Sequence, residues 1–199
     1  MTESAARRAS LQRKTKETDI QLVLALDGKG SVTVNTGVGF MDHMLTLFAV
    51  HGFFDLEIVA KGDTEVDDHH TVEDLGICLG MAFDQALGDK SGICRYGHAY
   101  VPMDETLARV CADFSNRPYL HYQVPLIETK VGTFDTPLAK EFLRAFMLHA
   151  GLTLHVDLLH GENGHHILEA VFKALGRALA IAASPHPLVS GQLSSKGVL

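Results

Sequence analysis

Two copies of the pattern HHxxE are the residues of this chain best suited to chemistry. They are His69, His70 and Glu73 in the first copy, and His165, His166 and Glu169 in the second. On a helix, the first histidine and the glutamate lie one turn apart on one face and can hold a single ion, whereas the second histidine points about a hundred degrees away. The two copies therefore predict two metal ions, each of which takes ligands from both copies. Nitrogen and carboxylate ligands without thiolates suit Mn, Fe or Zn.

The two motifs belong to an internal repeat of roughly a hundred residues. HHTVEDLGICLG, starting at His69, matches HHILEAVFKALG, starting at His165, with an offset of 96 residues. Upstream, an offset of 98 residues aligns His43 with Glu141. These two residues are the predicted fourth ligands, one for each ion. A single HHxxE arises readily by chance, but two copies at equivalent places in a repeat favour a metal centre.

Other charged residues are weaker candidates from their spacing alone. Lys173 continues the stripe of His165 and Glu169 by one turn, which indicates either an anion site beside the metals or a Glu169–Lys173 surface pair. Arginine, lysine and serine side chains are common phosphate ligands. The candidates of this kind are Arg95 and Arg117, which flank strand-like segments, and Ser194, Ser195 and Lys196 near the C-terminus. By spacing alone, Glu17 would be an ordinary solvated carboxylate.

The elements that must position these residues follow a similar order in both halves. Strands are predicted over 20–26, 31–36 and 53–60, and helices over GFMDHMLTLFAVHG and 67–87. The second half is predicted to contain strands over about 95–103, 105–115, 119–126 and 151–159, and helices over about 137–150 and 164–182. The order ββαβα, followed by ββ(β)αβα, predicts an α+β fold in which helices cover one face of each sheet. We expect one compact unit of two halves, 1–92 with a fraying N-terminal arm and 93–199 with an irregular C-terminal tail.

The composition excludes several classes of protein. The chain has 199 residues, of which 46% are hydrophobic, and a formal net charge of −7, which disfavours binding to nucleic acid. No apolar run approaches the roughly 18 residues of a membrane span, and the N-terminus lacks the apolar region of a secretory signal. Cys78, Cys94 and Cys111 are odd in number and lack CxxC spacing, which predicts buried thiols in a reducing compartment. We therefore expect a cytoplasmic protein.

Five segments resemble the signatures of the imidazoleglycerol-phosphate dehydratase family. They are GVGFMDHML (37–45), DDHHTVEDLGICLG (67–80), PMDETLAR (102–109), NGHHILEAVFKALGRAL (163–179) and SSKGVL (194–199). The resemblance implies an enzyme that converts D-erythro-imidazole glycerol phosphate to imidazole acetol phosphate and water in L-histidine biosynthesis. It also implies two halves of the ribosomal protein S5 domain 2 kind, two Mn²⁺ per active site, and a homo-oligomer, a 24-mer, with active sites between subunits.

The same resemblance implies roles for individual residues. The implied metal ligands are His43, His69, His70, Glu73, His165, His166 and Glu169. Glu141 is a less secure ligand because some members carry histidine at its position, although a carboxylate is an acceptable ligand for Mn²⁺. Glu17 matches the catalytic carboxylate. The implied substrate contacts are Arg95, Arg117, Lys173, Ser194, Ser195 and Lys196, together with Glu17, His43, His69 and His165, and His51 is expected to line the pocket.

The implied reaction suggests why two ions are needed. The proton to be removed lies on a carbon without a neighbouring carbonyl, so the imidazole ring must supply electrons. We hypothesise that both ring nitrogens bind metal, that the resulting imidazolate expels the adjacent hydroxyl, and that Glu17 removes the neighbouring proton to give an enol. Two alternatives use the same ligands: a dinuclear metallohydrolase with a bridging hydroxide, and a metal-storage shell without catalysis.

Overall fold

The computed structural model describes residues 7–199, and over these residues each half of the chain contains three strands, a helix, a strand and a helix in that order, with a short hairpin added before the first helix of the second half. The first half comprises β1 (Arg8–Lys14), β2 (Thr18–Ala25), β3 (Val32–Asn35), α1 (Gly39–Gly52), β4 (Asp55–Gly62) and α2 (His69–Leu87). The second half comprises β5 (Tyr96–Met103), β6 (Thr106–Asp113), β7 (Tyr119–Gln123), a short hairpin of β8 (Lys130–Val131) and β9 (Phe134–Asp135), α3 (Leu138–His149), β10 (Thr153–His160) and α4 (Gly164–Ala183).

The two main sheets have the same topology. Their strand orders are β1-β2-β4-β3 and β5-β6-β10-β7. In each sheet, one edge strand runs parallel to its neighbour, β3 beside β4 and β7 beside β10, and the remaining pairs are antiparallel. β2 and β6, for example, alternate buried residues with more accessible ones, since each sheet packs one face on helices. The predicted α+β fold with two similar halves is therefore confirmed.

The N-terminal segment departs from the prediction. Residues 8–14 were expected to form part of a fraying arm, but they form the edge strand β1, which pairs with β2 over its whole length. Ala9 is buried, and Arg13 forms an ion pair of 2.5 Å with the buried Asp74 of α2. The other side chains of β1 face solvent at least in part, as is typical of an edge strand, and this polar pattern conceals a strand in the sequence. The remainder of the expected arm, residues 1–6, lies outside the described residues.

The four helices pack in pairs that cross between the halves. α2 lies on β1 and β2, and α4 lies on β5 and β6, but the close helix–helix contacts join α1 to α4 and α2 to α3. Glycines allow this approach: a Cβ on Gly176 of α4 would overlap the carbonyl oxygen of Phe48 in α1, and a Cβ on Gly80 of α2 would overlap that of Phe146 in α3. These two contacts are equivalent under the repeat. The hydrophobic core consequently contains residues of both halves.

The three cysteines are free thiols. Cys78 is buried as predicted, and burial raises the pKa of its thiol to about 11. The prediction was wrong for Cys94 and Cys111, which are only half-buried. Cys111 lies on the outer face of β6, where alternate residues face away from the helices.

Candidate functional site

Three predicted metal ligands from two helices meet where α1 packs on α4. His43 Nε2 lies 2.7 Å from Glu169 Oε1, and His165 Nε2 lies 3.2 Å from the same oxygen. Donor atoms of these residues all lie within 4.8 Å of one another, and no other group of three or more His, Cys, Asp or Glu residues between 7 and 199 meets this criterion. The cross-half pairing of α1 with α4 therefore produces the cluster, since His43 is far from the second motif in sequence.

Lys173 keeps the carboxylate of this cluster ionised. Its Nζ lies 2.7 Å from Glu169 Oε2 and 3.2 Å from the sulfur of Met103, and the lysine side chain is only 14% exposed. Burial acts to raise the pKa of Glu169, but hydrogen bonds from Lys173 and His43 outweigh it and lower that pKa to about 2. The Glu169–Lys173 pair predicted as an alternative does form, but it lies inside the cluster and not on an open surface. Two imidazole nitrogens around an ionised carboxylate suit a divalent transition-metal ion.

The second doublet begins α4 because Asn163 caps this helix. Its side-chain oxygen accepts hydrogen bonds from the backbone N–H groups of His165 at 2.9 Å and His166 at 3.5 Å. Both histidines are thereby fixed in the first helical turn. His165 is further supported by Phe40 of α1, whose ring meets it edge-on at 5.3 Å.

The equivalent residues of the first motif are more open. His69 Nε2 lies 4.0 Å from Glu73 Oε2, and both side chains are more than 40% exposed. Glu141 of α3 instead lies 3.7 Å from Arg144 on its own helix. The structure therefore brings His69 and Glu73 near each other, leaves Glu141 outside that pair, and does not join the two HHxxE motifs within one chain.

A carboxylate outside the helix holds the second histidine of each motif. His70 Nδ1 lies 3.0 Å from Asp63, and His166 Nδ1 lies 2.8 Å from Glu105. These contacts raise the pKa values of both imidazoles. The sequence reasoning missed Asp63 and Glu105 as site residues. PMDETLAR had been noted as a segment, but the contact of Glu105 with His166 depends on how the β5–β6 turn folds over α4.

Glu17 lies in the turn between β1 and β2, beside the first motif. Its Oε1 is 3.9 Å from His70 Nε2, and its side chain is 53% exposed. The residue lines a shallow cleft of about 270 Å³ together with Asp63 and Glu65. The structure therefore places Glu17 next to a predicted metal ligand, although spacing alone had indicated only a solvated acid.

The predicted phosphate contacts surround a cavity of about 830 Å³ under the C-terminal tail. Its polar lining residues include Arg95, Arg117, Ser194, Ser195 and Lys196. Arg95 is buried and already engaged: its Nε lies 2.7 Å from Asp113, and its Nη1 donates to the carbonyl oxygen of Leu193 at 2.6 Å. Arg117, by contrast, has a side chain that is 67% exposed. We conclude that Arg95 shapes the cavity, while Arg117 and Lys196 offer it accessible cations.

This cavity and the two motifs lie at opposite ends of the long helices. The backbone N–H of Arg95 donates to the carbonyl oxygen of Ala182, at the end of α4, whereas His165 lies in its first turn. At 1.5 Å per residue these ends are about 26 Å apart. α2 has the same orientation, since Lys90, just beyond its end, binds Asn116 next to Arg117.

His51 lies away from the cavity, two turns along α1 from His43. It is half-buried, and its pKa is lowered first by burial and then by the nearby charges of Lys173 and Arg177. That His51 lines the substrate pocket stays a prediction. The imidazole of His51 lies near the side chain of Lys173.

Comparison with known proteins finds one family. The family model described as imidazoleglycerol-phosphate dehydratase matches residues 36–179. Relatives with this name include proteins from Desulfotalea psychrophila, 60% identical over 97% of this chain and 96% of its own, and from Heliobacterium modesticaldum, 60% identical over 97% and 100%. Two solved structures are similar: the dehydratase of Staphylococcus aureus N315 (46% identity, TM-score 0.82, covering 90% of this chain and 99% of that one), and that of Pyrococcus furiosus in complex with (S)-C348 (40%, 0.81, 95% and 100%).

Proposed function

Because the chain belongs to the imidazoleglycerol-phosphate dehydratase family, we propose that it removes water from D-erythro-imidazole glycerol phosphate to give imidazole acetol phosphate in L-histidine biosynthesis. The family makes it an enzyme of the hydro-lyase class. The observation that carries the proposal is the convergence of His43, His165 and Glu169 from the two halves of the repeat. These residues offer two imidazole nitrogens and one carboxylate oxygen, a set of ligands that suits a divalent metal ion.

The proposal includes two divalent metal ions per active site, with Mn²⁺ as the first choice. His43, His165 and Glu169 would hold one ion, and His69 and Glu73, joined by Glu141 if that side chain turns from Arg144, would hold the other. The second histidines, His70 and His166, point away from the ligand sets of their own chain and would complete those of another copy of the chain. When bound, such cations lower the pKa of a ligating group and so favour the anionic form of an imidazole ring.

The proton-accepting group in the proposal is the carboxylate of Glu17. Dehydration removes a hydroxyl from the carbon next to the ring and a proton from the following carbon, which leaves an enol that becomes the ketone. A base for this step must be accessible and close to the site of ring binding. Glu17 meets both requirements, since its side chain is 53% exposed and lies 3.9 Å from His70 Nε2.

The phosphate group would occupy the cavity under the C-terminal tail. Arg117 and Lys196 supply the accessible positive charges, Ser194 and Ser195 supply hydroxyl groups, and Arg95 is fixed by Asp113 in the cavity wall. Binding energy at the phosphate would orient the reacting carbons, which lie several bonds away.

These assignments require more than one chain in each active site. The substrate spans only about 10 Å when extended, as judged from bond lengths of about 1.5 Å, whereas the cavity and the motifs of one chain are about 26 Å apart. The cavity of one subunit must therefore face the motifs of another. We propose a homo-oligomer for this reason, and a 24-mer from the family resemblance.

The proposal retains the expectation of a cytoplasmic protein without nucleic-acid or membrane partners. Between residues 7 and 199, no helix is long and apolar enough to cross a membrane.

An assay that follows two products tests this function. We expect the metal-free protein to be inactive, and added Mn²⁺ to restore formation of imidazole acetol phosphate without release of inorganic phosphate. A dinuclear hydrolase would instead release phosphate from simple phosphate esters and leave imidazole glycerol phosphate intact. A storage protein would bind many ions per chain and turn over neither compound.

A further inference from the structure

The second histidine of each motif is held at one ring nitrogen by a carboxylate from another element. Glu105, in the turn between β5 and β6, accepts a hydrogen bond from His166 Nδ1 at 2.8 Å. Asp63, just after β4, accepts the equivalent hydrogen bond from His70 Nδ1, which lies 3.0 and 3.3 Å from its two carboxylate oxygens. The contact therefore occurs in both halves, although the two carboxylates are different residue types.

The hydrogen bond selects one tautomer of each neutral imidazole. An ionised carboxylate can only accept, so Nδ1 must carry the proton and Nε2 must carry the free lone pair. Both Nε2 atoms point toward accessible carboxylates, His70 toward Glu17 and His166 toward Asp104, each at 3.9 Å. The lone pair is thus presented on the open side of each ring, where a cation could reach it.

We propose that Glu105 and Asp63 are positioning residues that hold His166 and His70 in the tautomer and orientation that bind metal. This inference rests on the metal site of the proposed function but needs no substrate. Carboxylates that hold the distal nitrogen of a metal-binding histidine raise the basicity of the ligand, and their loss reduces metal affinity by about 10- to 100-fold.

The two carboxylates differ in how firmly they are themselves held. Glu105 Oε1 accepts hydrogen bonds from the backbone N–H groups of Asn163 at 3.0 Å and Glu162 at 3.3 Å. Its other oxygen is left for His166. Within the described part of the chain, the side-chain oxygens of Asp63 make no hydrogen bond other than those to His70, so its carboxylate can rotate about its own axis.

This difference predicts unequal effects of two isosteric substitutions. In Glu105→Gln, the backbone N–H groups would select the amide oxygen, so the amide NH₂ would face His166 Nδ1. That nitrogen would then have to accept, and the proton would move to Nε2, where it blocks the metal. In Asp63→Asn, the side chain can turn its oxygen toward His70 and keep the original tautomer. We expect Glu105→Gln to weaken metal binding by about 10- to 100-fold, and Asp63→Asn to weaken it much less.

Mn²⁺ affinity, measured by competition with a chelator, and the histidine tautomers, measured by ¹⁵N NMR of the metal-free protein at alkaline pH, test the proposal. Glu162→Gln is the matched control, since it removes a nearby exposed carboxylate but keeps the backbone N–H that Glu105 binds. Equal losses in all three variants would indicate a general charge effect and overturn the proposal. A wild-type His166 protonated at Nε2 would also overturn it, even if Glu105→Gln fails to fold. Neither readout depends on turnover, so failure of the dehydratase assay would leave this test intact.

Discussion

At the scale of single residues, the proposed role of Glu17 as a base depends on which side chains contact its carboxylate. It shares a cleft with Asp63 and lies near His70, but no hydrogen bond from its side chain ties it to either residue among those described. An accessible carboxylate without such a partner is free to accept a proton from a substrate.

Replacement of Glu17 by Gln should therefore abolish turnover without loss of metal. The amide has nearly the same shape but cannot act as a base, and Glu17 is not needed to hold His43, His165 or Glu169 together. Metal content by atomic spectroscopy and formation of imidazole acetol phosphate should be measured on one sample. Retained activity would remove Glu17 from the chemistry, and lost metal would reassign it as a ligand.

The sequence predicted His43, His165 and Glu169 as metal ligands because the HHxxE spacing is a local signal and the repeat can be read along the chain, and the structure brings these three residues together. The sequence correctly indicated that Lys173 shares a stripe with Glu169. It could not find Glu105 or Asp63, because their contacts with His166 and His70 depend on turns that fold over the helix starts. Nor could spacing show that the guanidinium of Arg95 is occupied by Asp113.

At the scale of elements, the repeat predicted which helices are equivalent but not which helices pack together. The bounds of α2 and α4 agree closely with the predicted 67–87 and 164–182. The cross-half pairs α1–α4 and α2–α3 arise from close backbone approach at glycines, a property that periodicity does not reveal. β1 was missed because only one face of this edge strand is buried, so its apolar pattern in the sequence is short.

Gly176→Ala and Gly80→Ala test the close packing of α1 on α4 and of α2 on α3. Alanine favours a helix by about 1 kcal/mol over glycine, but here its Cβ would overlap a backbone carbonyl that cannot move aside easily. We expect each substitution to lower the free energy of unfolding by about 1–3 kcal/mol, as measured by denaturant titration of the metal-free protein. Gly39→Ala in α1 is the control, because a Cβ there meets no atom within 4 Å. Equal stability of all three variants would show that the helices are less tightly packed than described.

At the scale of the whole molecule, one chain holds the two ends of the proposed active site too far apart. Glu17 lies beside the start of α2 near His70, while Arg117 and Lys196 lie at the far end of that helix, about 26 Å away. A substrate about 10 Å long cannot touch both. The proposed function therefore depends on contact between different copies of the chain, which the sequence indicated only through its family resemblance.

Mixed oligomers of two inactive variants test this dependence most directly. One variant carries Glu17→Gln and an intact cavity, and the other carries Arg117→Ala with Lys196→Ala and an intact Glu17. Each should be inactive alone, whereas co-expression should restore formation of imidazole acetol phosphate at sites that combine the intact cavity of one chain with the intact Glu17 of another. If the mixed oligomers remain as inactive as their parents at every mixing ratio, the cavity and the metal-binding motifs do not act on one substrate, and the proposed active site is wrong.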